Sequence, residues 1–452
     1  MRALTLLVVI CLGAALLPEL RAADEGWQVG VAKAAVTPEQ PMWMAGYAAR
    51  KRPAEGKTTE LWAKAIVLQD SQEKKAVLVT LDLVGIDRDL GLSIRQKVAE
   101  KLGLELSQVM VNTSHTHSGP VVAKNLRPMH YLMLDEAQRK LVDEYAQFLE
   151  RTVVQLAETA DKQKEPARVT HTSGTCPVAV NRRNNKEPDV PALRDAGKLV
   201  GPSDHDVPVL AVHKADGELM AVVFGYACHA TVLDGYTWSG DYPGYAQLAI
   251  ESAHPGAVAL FWAGCGGDQN PLPRRKQQLA EKYGRQLADS VEQALGGHRK
   301  TVPPSLTTAY RELDLPLGTL PTRDELTAQS RDTNPYVAAR AKHYLAELDA
   351  GRSLPSSYPY PIGVWRLGDE IDWVFLGGEV VVDYALRLKE QRRGKQTWVA
   401  GYSNDVMAYI PSRRVLAEGG YEGGGAMVYY GLPAPWHDTV EAAITEEVQE
   451  LP

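Results

Sequence analysis

Hydrophobic positions along the chain follow two alternating patterns. Short apolar runs rich in β-branched residues, typical of buried strands, are separated by longer stretches with helical spacing. Residues 61–70 and 74–86 flank a polar turn at 71–73 and predict a hairpin that joins the core sheet. The sequence then predicts a helix over 90–102 and a strand over 108–113.

The alternation continues to the end of the sequence, without an internal repeat or a low-complexity linker. A second hairpin is predicted to join 207–214 to 218–230 through Asp216 and Gly217. It is followed by a helix from about Tyr242, a strand over 258–267, a polar helix over 275–295, and two helices within 323–348 that break at Asn334 and Pro335. The last predicted elements are a turn at 358–361, strands over 362–368, 371–382 and 397–405, a glycine-rich loop at 419–425, and a helix from about His437. This order predicts a mixed α/β fold, with one large layered domain in which helices flank central β-sheets.

Composition narrows the functional classes. Of the 452 residues, 44% are hydrophobic and 23% are charged, which is ordinary for a soluble globular enzyme and excludes a disordered or collagen-like chain. The length allows one large α/β unit or two to three smaller ones. The net charge of -7, spread without long runs of one sign, argues against a nucleic-acid partner, because a nucleic-acid binder needs a basic face.

The N-terminal residues have the composition of a signal peptide. An early arginine, an apolar run and the small residues Ala22 and Ala23 predict a signal peptide over 1–22 and export of 23–452 to the periplasm or the extracellular space. A retained membrane anchor is the alternative, which the short run before Pro18 disfavours. We expect no transmembrane segment in the mature chain, since no other stretch is apolar enough to cross a bilayer.

Three cysteines, Cys176, Cys228 and Cys265, remain after the signal peptide. Their odd number and the absence of a C-x-x-C pair exclude a dense disulfide framework. One bridge and three buried thiols both fit the sequence. Cys228 also keeps a ligand role open, because it stands next to His229.

Candidate chemistry is concentrated where five apolar strands end. Sites in open α/β sheets form outside the carboxyl ends of strands, so we expect the polar and glycine-rich residues there to share one crevice. The five strand ends are VMVNTSHTHSGP at 109–120, MAVVFGYACHATVL at 220–233, VALFWAGCGGDQNP at 258–271, IDWVFLGGEVVV at 371–382 and TWVAGYSNDVMAYIP at 397–411.

Three histidines and one glutamate at these ends are candidate metal ligands. His115 and His117, two residues apart, point to the same side if the strand continues through them, and two imidazoles on one face suit a metal. His229 follows an apolar run, and Glu379 lies inside an apolar segment, where a carboxylate is costly to bury unless it is paired or bound to a cation. Ordinary loop histidines, a structural His229 and a salt bridge at Glu379 are the alternatives.

Histidines combined with a carboxylate are the ligand set that zinc uses in hydrolytic sites, with one position left open for water. Zinc lowers the pKa of that water and polarises a carbonyl, so hydrolysis of an amide or ester is the predicted reaction. Asp268 and Asp241, each after a glycine, either orient a ligand or cap the following segment. Tyr409, judged alone, is predicted to be a core aromatic.

The segment SHTHSGP at 114–120 resembles the signature of the neutral, non-lysosomal ceramidases. Further stretches resemble that family in its own order, namely CHATVLDGYTWSGDYPGYA at 228–246, GCGGDQNP at 264–271, GGEVVV at 377–382 and YSNDVMAYIPSRRVLAEGGYEGG at 402–424. The resemblance covers nearly the whole mature chain, from about Trp27 onward.

This resemblance implies a large mixed α/β domain and a zinc-promoted hydrolysis of the amide bond of ceramide, a lipid substrate. It implies one zinc ion per chain, bound by His115, His229, Glu379 and Tyr409. It also implies an active-site role for His117 beside the metal, and a place near the substrate for Asn181, Arg182, Arg183 and Asp241.

The chain departs from the family pattern at one position of the site. The segment GDQNP places Asn270 where the family carries a serine that participates in catalysis. An amide cannot act as a serine-like nucleophile, but it can donate a hydrogen bond to a developing oxyanion. We therefore expect attack by metal-activated water, with His117 or Asp268 assisting proton transfer. The sequence also ends where family members continue into a smaller β-sandwich domain, so the resemblance is to a catalytic domain over 23–452.

Two other functions remain open at the level of the sequence. Because the substrate comes from the resemblance alone, a zinc hydrolase of a non-lipid amide or ester is the second hypothesis, which a polar and open cleft would favour. A non-catalytic binding homologue that has lost the serine is the third. No sequence pattern indicates the oligomeric state.

Overall fold

The computed structural model describes residues 26–392 and 394–451, so the predicted signal peptide over 1–22 lies outside the described residues. The strands are β1 (Trp27–Ala35), β2 (Gly56–Lys57), β3 (Trp62–Gln69), β4 (Lys75–Leu81), β5 (Val109–Thr113), β6 (Glu165–Thr175), β7 (Ala179–Asn181), β8 (Asp206–Lys214), β9 (Leu219–Tyr226), β10 (Thr237–Trp238), β11 (Val258–Ala263), β12 (Gln269–Pro271), β13 (Lys300–Thr301), β14 (Leu306–Pro316), β15 (Ser357–Leu367), β16 (Ile371–Leu376), β17 (Glu379–Val380), β18 (Gln396–Ala400) and β19 (Tyr409–Ile410). The helices are α1 (Arg88–Leu102), α2 (Glu136–Lys162), α3 (Val190–Asp195), α4 (Asp241–Ala253), α5 (Gln277–Gly296), α6 (Arg323–Gln329), α7 (Pro335–Asp349), α8 (Val382–Gln391), α9 (Arg413–Glu418), α10 (Met427–Tyr430) and α11 (Val440–Glu450).

Two sheets form the centre of the fold. The larger has the order β11-β9-β8-β6-β1-β3-β4-β5, with β13 paired to β6, and the smaller has the order β14-β15-β16-β18. The pairs β4–β5 and β9–β11 are parallel, whereas the middle of the large sheet is antiparallel. The predicted mixed α/β class is therefore confirmed.

The elements stack in four layers. One apolar core lies between the two sheets and contains the buried tryptophans Trp262, Trp365, Trp373 and Trp398, with the rings of Trp262 and Trp373 5.5 Å apart. Helices α1 and α2 cover part of the outer face of the large sheet, and α4 and α5 cover the rest. Helices α8 and α11 cover the outer face of the small sheet. This arrangement buries both faces of the central strands such as β4, β9 and β16, as their continuous apolar runs require, whereas β14 and β6 remain partly exposed.

The predicted hairpins β3–β4 and β8–β9 are present, as are α1, α4, α5 and the two helices α6 and α7 that break before Pro335. The predicted turn at 358–361 is wrong, because these residues belong to β15 and pair with β14. β16 joins β15 only from Ile362 onward. Pro359 and Pro361 therefore lie where β15 has a neighbour on one side alone, and a missing N–H is tolerated there.

The carboxyl ends of the strands meet where the two sheets join. β5 and β11 are the terminal strands of the large sheet, and they come into contact because the sheet curves. The backbone N–H of Ala263 donates to Oδ1 of Asn112 at 2.8 Å. An isolated β-bridge connects Gly264 to Ala400 of the smaller sheet, and another connects Asn112 to Ser403 in the loop after β18. Loops after β5, β9, β11, β16 and β18 consequently surround one crevice, as predicted.

The three cysteines are buried free thiols, so the alternative of a bridge among them is not realised. Within residues 26–392 and 394–451, none of the helices has the combination of length and hydrophobicity that a bilayer-spanning segment needs.

Candidate metal centre and active site

His115 and His117 lie just beyond the end of β5. The strand ends at Thr113 and does not continue through them, so strand alternation is not what brings their side chains together. His115 instead has a φ of 59°, in the left-handed region that L-residues seldom adopt outside functional or constrained sites. The resulting turn places the Nε2 atoms of the two imidazoles 3.1 Å apart.

Two backbone carbonyls fix the tautomers of His115 and His229. Nδ1 of His115 is 2.5 Å from the carbonyl oxygen of Val84, and Nδ1 of His229 is 2.6 Å from that of Gly266. A carbonyl oxygen only accepts, so each Nδ1 must carry the hydrogen. Each Nε2 then presents a lone pair to the crevice, which is the form in which histidine binds a metal.

Glu379 completes this cluster of acceptors. Its Oε2 is 2.9 Å from Nε2 of His229 and 3.1 Å from Nε2 of His115, and it has no hydrogen-bond donor among the described residues. The other oxygen, Oε1, accepts a hydrogen bond from the hydroxyl of Tyr430. Three buried acceptors that face one another are unfavourable unless a cation lies between them. The donor set therefore fits a metal ion.

His117 is part of the same cluster. The ligand atoms of His115, His117 and His229 all lie within 4.8 Å of one another, and all three side chains are buried. Nδ1 of His117 has no hydrogen-bond partner among the described residues. The ring of Tyr47 packs against the imidazole of His117, with the two ring centroids 4.8 Å apart. These three histidines could hold a metal ion, with Glu379 beside them.

Burial controls the charge of the cluster. It lowers the pKa of His117 well below the usual value and, together with Arg182, lowers the pKa of His229 to about 4. Burial alone would raise the pKa of Glu379, but His115 and His229 hold it well below the usual range. Neutral imidazoles and an ionised carboxylate are the protonation states that metal binding requires.

Tyr409 lies beside Glu379 at the edge of the cluster. The parallel pair β17–β19 aligns Glu379 with Tyr409, whose hydroxyl lies 3.3 Å from Nε2 of His229. Burial and Glu379 raise the pKa of Tyr409, so the phenol is protonated at neutral pH. The structure thus brings together the five residues that the sequence singled out, His115, His117, His229, Glu379 and Tyr409.

Arg182 connects this cluster to Asn270. Its Nη2 donates to the hydroxyl of Tyr409 at 3.0 Å, and its Nη1 donates to Oδ1 of Asn270 at 3.3 Å. Glu422 accepts from Arg182 at 2.7 Å and from Arg183 at 2.6 Å. Arg183 therefore lies one residue further from the cluster and holds the glycine-rich loop against it.

The two aspartates of the prediction occupy supporting positions. Asp268 accepts from the backbone N–H of Val382 and from Nδ2 of Asn181, each at 2.9 Å. Asp241 accepts from the backbone N–H groups of Val232 and Leu233, which follow His229. Asp241 also accepts from the backbone N–H of Tyr242 at 2.6 Å, so the hydrogen bonds described for the two carboxylates come from backbone and amide groups and not from the imidazoles.

Three residues of the site were not identified from the sequence: Tyr47, Tyr430 and Glu422. Glu422 lies in the glycine-rich loop, where an acidic residue between glycines was the one available signal. Tyr47 and Tyr430 stand in segments without a distinctive pattern, so only the fold reveals their contacts with the histidines and Glu379.

Comparisons with known proteins agree with this geometry. The family described as neutral/alkaline non-lysosomal ceramidase, N-terminal, matches residues 27–271, which is more than half of the chain. The neutral ceramidase of Pseudomonas aeruginosa is 24% identical over 96% of this chain and 73% of its own length, and neutral ceramidase A of Dictyostelium discoideum is 25% identical over 56% of this chain and 37% of its own.

The crystal structure of the Pseudomonas aeruginosa neutral ceramidase has the same fold. It matches with a TM-score of 0.72 and 21% identity, over 95% of this chain and 74% of that one. These ceramidase relatives indicate a hydrolase. On the family match, this chain belongs to the neutral/alkaline non-lysosomal ceramidase family.

Proposed function

We propose that this chain is an exported, zinc-dependent amidohydrolase that cleaves the amide bond of a ceramide-like N-acyl lipid, with residues 23–452 as its catalytic domain. The observation that carries the proposal is the meeting of three buried acceptors, Nε2 of His115, Nε2 of His229 and Oε2 of Glu379, at 2.9 and 3.1 Å. The ceramidase relatives support the choice of an amide of ceramide as the bond that is cleaved.

His115, His229, Glu379 and Tyr409 are the proposed zinc ligands, with His117 beside them. Such an ion supplies Lewis acidity, which activates a water molecule and polarises the carbonyl of the substrate. Of the two residues expected to assist proton transfer, His117 is the better placed. It belongs to the cluster, with its Nε2 3.1 Å from that of His115, so this nitrogen can take the proton from the attacking water and return it to the leaving amine. Both carboxylate oxygens of Asp268 already accept hydrogen bonds.

Asn270 is the proposed donor to the substrate carbonyl. A guanidinium only donates, so the atom of Asn270 that faces Nη1 of Arg182 must be the oxygen. The amide nitrogen Nδ2 is therefore directed away from Arg182 and remains free to donate to the oxyanion as the carbonyl is attacked. Arg182 thus fixes Asn270 and Tyr409 with one side chain.

Turnover of a short-chain fluorescent ceramide tests the proposal. We expect purified wild-type protein to release the fatty acid, to lose this activity in chelator and to regain it with zinc. His229→Ala should abolish turnover, whereas His254→Ala, at a half-buried histidine paired with Glu292, should keep it. Undiminished turnover in chelator, or in His229→Ala, would contradict the proposal. Binding without turnover would favour a non-catalytic homologue.

Export is supported by the apolar run and small residues of the N-terminal sequence. Sequencing the N-terminus of the protein expressed in a bacterial host should give Ala23 in the extracytoplasmic fraction. A chain that keeps Met1 and stays in the cytoplasm would refute this part.

A further inference from the structure

A cavity of about 330 Å³ has Tyr430 in its wall. The hydroxyl of Tyr430 donates to Oε1 of Glu379, so this side chain contacts both the cavity and the candidate metal centre. None of the three histidines of the cluster lines the cavity, whose walls come from the start of α1, the loop between β5 and α2, helix α7, and the segments around residues 358, 406 and 431. The cavity is therefore a neighbour of the candidate metal centre and not part of it.

Four cationic side chains line the cavity, and three of them have no counter-ion. Arg88 makes a bidentate ion pair with Glu312, with both N···O distances 2.8 Å. Lys124, Arg127 and Arg340 have no carboxylate within 4.0 Å among the residues that the structure describes. Like charges that share a small cavity repel one another, so an anion between them would be stabilising.

The two unpaired arginines keep most of their donors unused. A guanidinium carries several N–H donors in a planar fork and no acceptor. Arg127 donates to Nε2 of His343 at 3.3 Å. Arg340 donates to the carbonyl oxygen of Leu432 at 3.3 Å and to Oε1 of Gln329 at 3.2 Å. Within the described part of the chain, the remaining N–H groups of both side chains have no acceptor.

His343 adds a further donor to the same wall. Because Nε2 of His343 accepts from Arg127, the hydrogen of the neutral ring is on Nδ1. Burial and Arg127 lower the pKa of His343, so the ring is neutral at pH 7. His343 and Arg340 are three positions apart on α7 and therefore lie on one face of this helix.

The carboxylates of the lining do not neutralise these cations. Asp87 accepts from two backbone N–H groups, at 2.5 and 2.9 Å. Asp405 accepts from the hydroxyl of Tyr358 at 2.6 Å, and the third carboxylate, Asp89, is exposed. The positive charge on the α7 side of the cavity is thus left without a partner from the protein.

The unused donors favour a small oxyanion with two negative charges. The planar fork of a guanidinium matches the oxygen pairs of a phosphate or a carboxylate, and a dianion neutralises more of the unpaired charge than a monoanion does. A volume of about 330 Å³ is that of roughly ten water molecules, which is enough for a phosphate group and some of its hydration.

We infer that this cavity is an anion-binding site in which Arg127 and Arg340 bind a phosphate group, either as the free ion or in a small monoester. The site is separate from the histidines, so the inference does not depend on the proposed hydrolysis. The hydroxyl of Tyr344 donates to the carbonyl oxygen of Gly431 at 2.6 Å, and Arg340 donates to that of the next residue. The bound anion would therefore contact the side chain that holds the segment directly after Tyr430.

Calorimetry of the purified protein with inorganic phosphate tests this inference. We expect a Kd of about 1 mM or lower, similar binding of sulfate, and binding of the monoanion acetate that is weaker by about 10-fold or more. Added sodium chloride should weaken the binding of phosphate. Glycerol 3-phosphate distinguishes the two forms of the ligand: tighter binding than inorganic phosphate would assign the site to a monoester, and equal or weaker binding would assign it to the free ion.

Substitutions locate the bound anion. Arg127→Gln is the most direct variant, because Arg127 has one hydrogen bond within the described protein and its loss disturbs the fold least. The Kd for phosphate should rise by about 10-fold or more, as the loss of a charge-assisted hydrogen bond implies. Arg340→Gln should have a similar effect, and its melting temperature shows whether the variant folds. Arg331→Gln removes the same charge at an exposed position outside the lining and should leave the Kd unchanged.

A variant of the metal centre separates this site from a phosphate bound to a metal ion. His229→Ala should keep the wild-type Kd for phosphate, because His229 does not line the cavity. Wild-type protein in chelator gives the same comparison without a substitution. The inference would be overturned by the absence of binding up to about 10 mM phosphate, by an unchanged Kd in Arg127→Gln, or by loss of binding in chelator. These outcomes are independent of turnover, so the proposed function stands or fails separately.

Discussion

Glu379→Gln is expected to stabilise the metal-free protein and to lose that gain when metal is bound. In the structure Oε1 accepts from Tyr430, while Oε2 faces Nε2 of His115 and Nε2 of His229 without a donor. A glutamine has the same length, so its oxygen can keep the bond from Tyr430. Its amide group can donate to the imidazoles, where the carboxylate could only present another acceptor.

The expected change in the free energy of unfolding follows from the unpaired Oε2 of Glu379. A buried acceptor without a partner costs about 1–3 kcal/mol, and more when it is charged. In chelator, Glu379→Gln should therefore raise the free energy of unfolding by about 1–3 kcal/mol. In saturating zinc the lost anionic ligand should weaken metal binding, and a 100-fold loss of affinity would remove about 2.7 kcal/mol of stabilisation. Taking 2.7 kcal/mol from a gain of about 1–3 kcal/mol leaves a net change of about -1.7 to +0.3 kcal/mol, so zinc cancels or reverses the gain seen in chelator.

Urea unfolding of the purified protein, in chelator and in saturating zinc, measures both values. Glu379→Ala is the control, because it removes the acceptor for Tyr430 as well and should destabilise the protein in both conditions. If Glu379→Gln destabilises the chelator-treated protein as much as Glu379→Ala does, the reasoning from an unpaired Oε2 is refuted.

Three further predictions follow from other parts of the molecule. Burial and Arg50 lower the pKa of His130 to about 3, from a usual 6.5. The unfolded chain therefore takes up a proton that the folded chain does not, and the free energy of unfolding falls as the pH drops below about 6.5. Between about pH 7 and pH 5, urea unfolding should show that His130→Gln loses about 2 kcal/mol less of this free energy than wild type, and equal losses would contradict this. A Cβ at Gly91 would lie 2.0 Å from the carbonyl oxygen of residue 404, so Gly91→Ala should lower the free energy of unfolding by about 1–3 kcal/mol. Gly296→Ala, where a Cβ meets open space, should not lower it. Similar melting temperatures for the two variants would be inconsistent with this packing. Arg182→Lys keeps the charge but cannot donate to both Asn270 and Tyr409, so kcat for a short-chain ceramide should fall about 10-fold to 100-fold. The free energy of unfolding should fall by about 1–3 kcal/mol, because a buried hydrogen bond is lost. A wild-type kcat in this variant would rule out the positioning role.

The location of the site could be predicted from the sequence because the ends of buried strands are marked by a change from apolar to polar residues. The apolar runs before His115, His229 and Glu379 are long enough to be strands, and a sheet places the ends of neighbouring strands together. The cost of burying an unpaired carboxylate then indicates that Glu379 needs a cation or a partner. Periodicity and solvation are therefore enough to predict the crevice and its principal acceptors.

The remaining details depend on loop geometry, which periodicity does not encode. The left-handed turn at His115 and the hydrogen bond from its Nδ1 to the carbonyl of Val84 arise from segments without regular spacing. The same holds for Tyr430, whose hydroxyl reaches Glu379 across 51 positions of the sequence. Asp268 is a different case. Its place beside a glycine at a strand end indicated a role in catalysis, but both of its carboxylate oxygens accept hydrogen bonds from other elements.

Strand and turn assignments failed for a comparable reason. Pro359 and Pro361 indicate a turn by composition, yet they fit in β15 because that part of the strand has one neighbour. The neighbour is supplied by β14, more than 40 residues earlier in the chain. Pairing over that distance is a property of the fold and not of the local sequence.

His115, His229 and Glu379 are proposed to meet because they hold a metal ion. X-ray absorption spectroscopy of the purified protein, together with metal quantification, tests it directly. We predict one zinc ion per chain, with nitrogen and oxygen ligands at about 2.0–2.2 Å, and loss of that ion in the double variant His115→Ala, His229→Ala. A protein that binds no metal, or that keeps its zinc in the double variant, would contradict it.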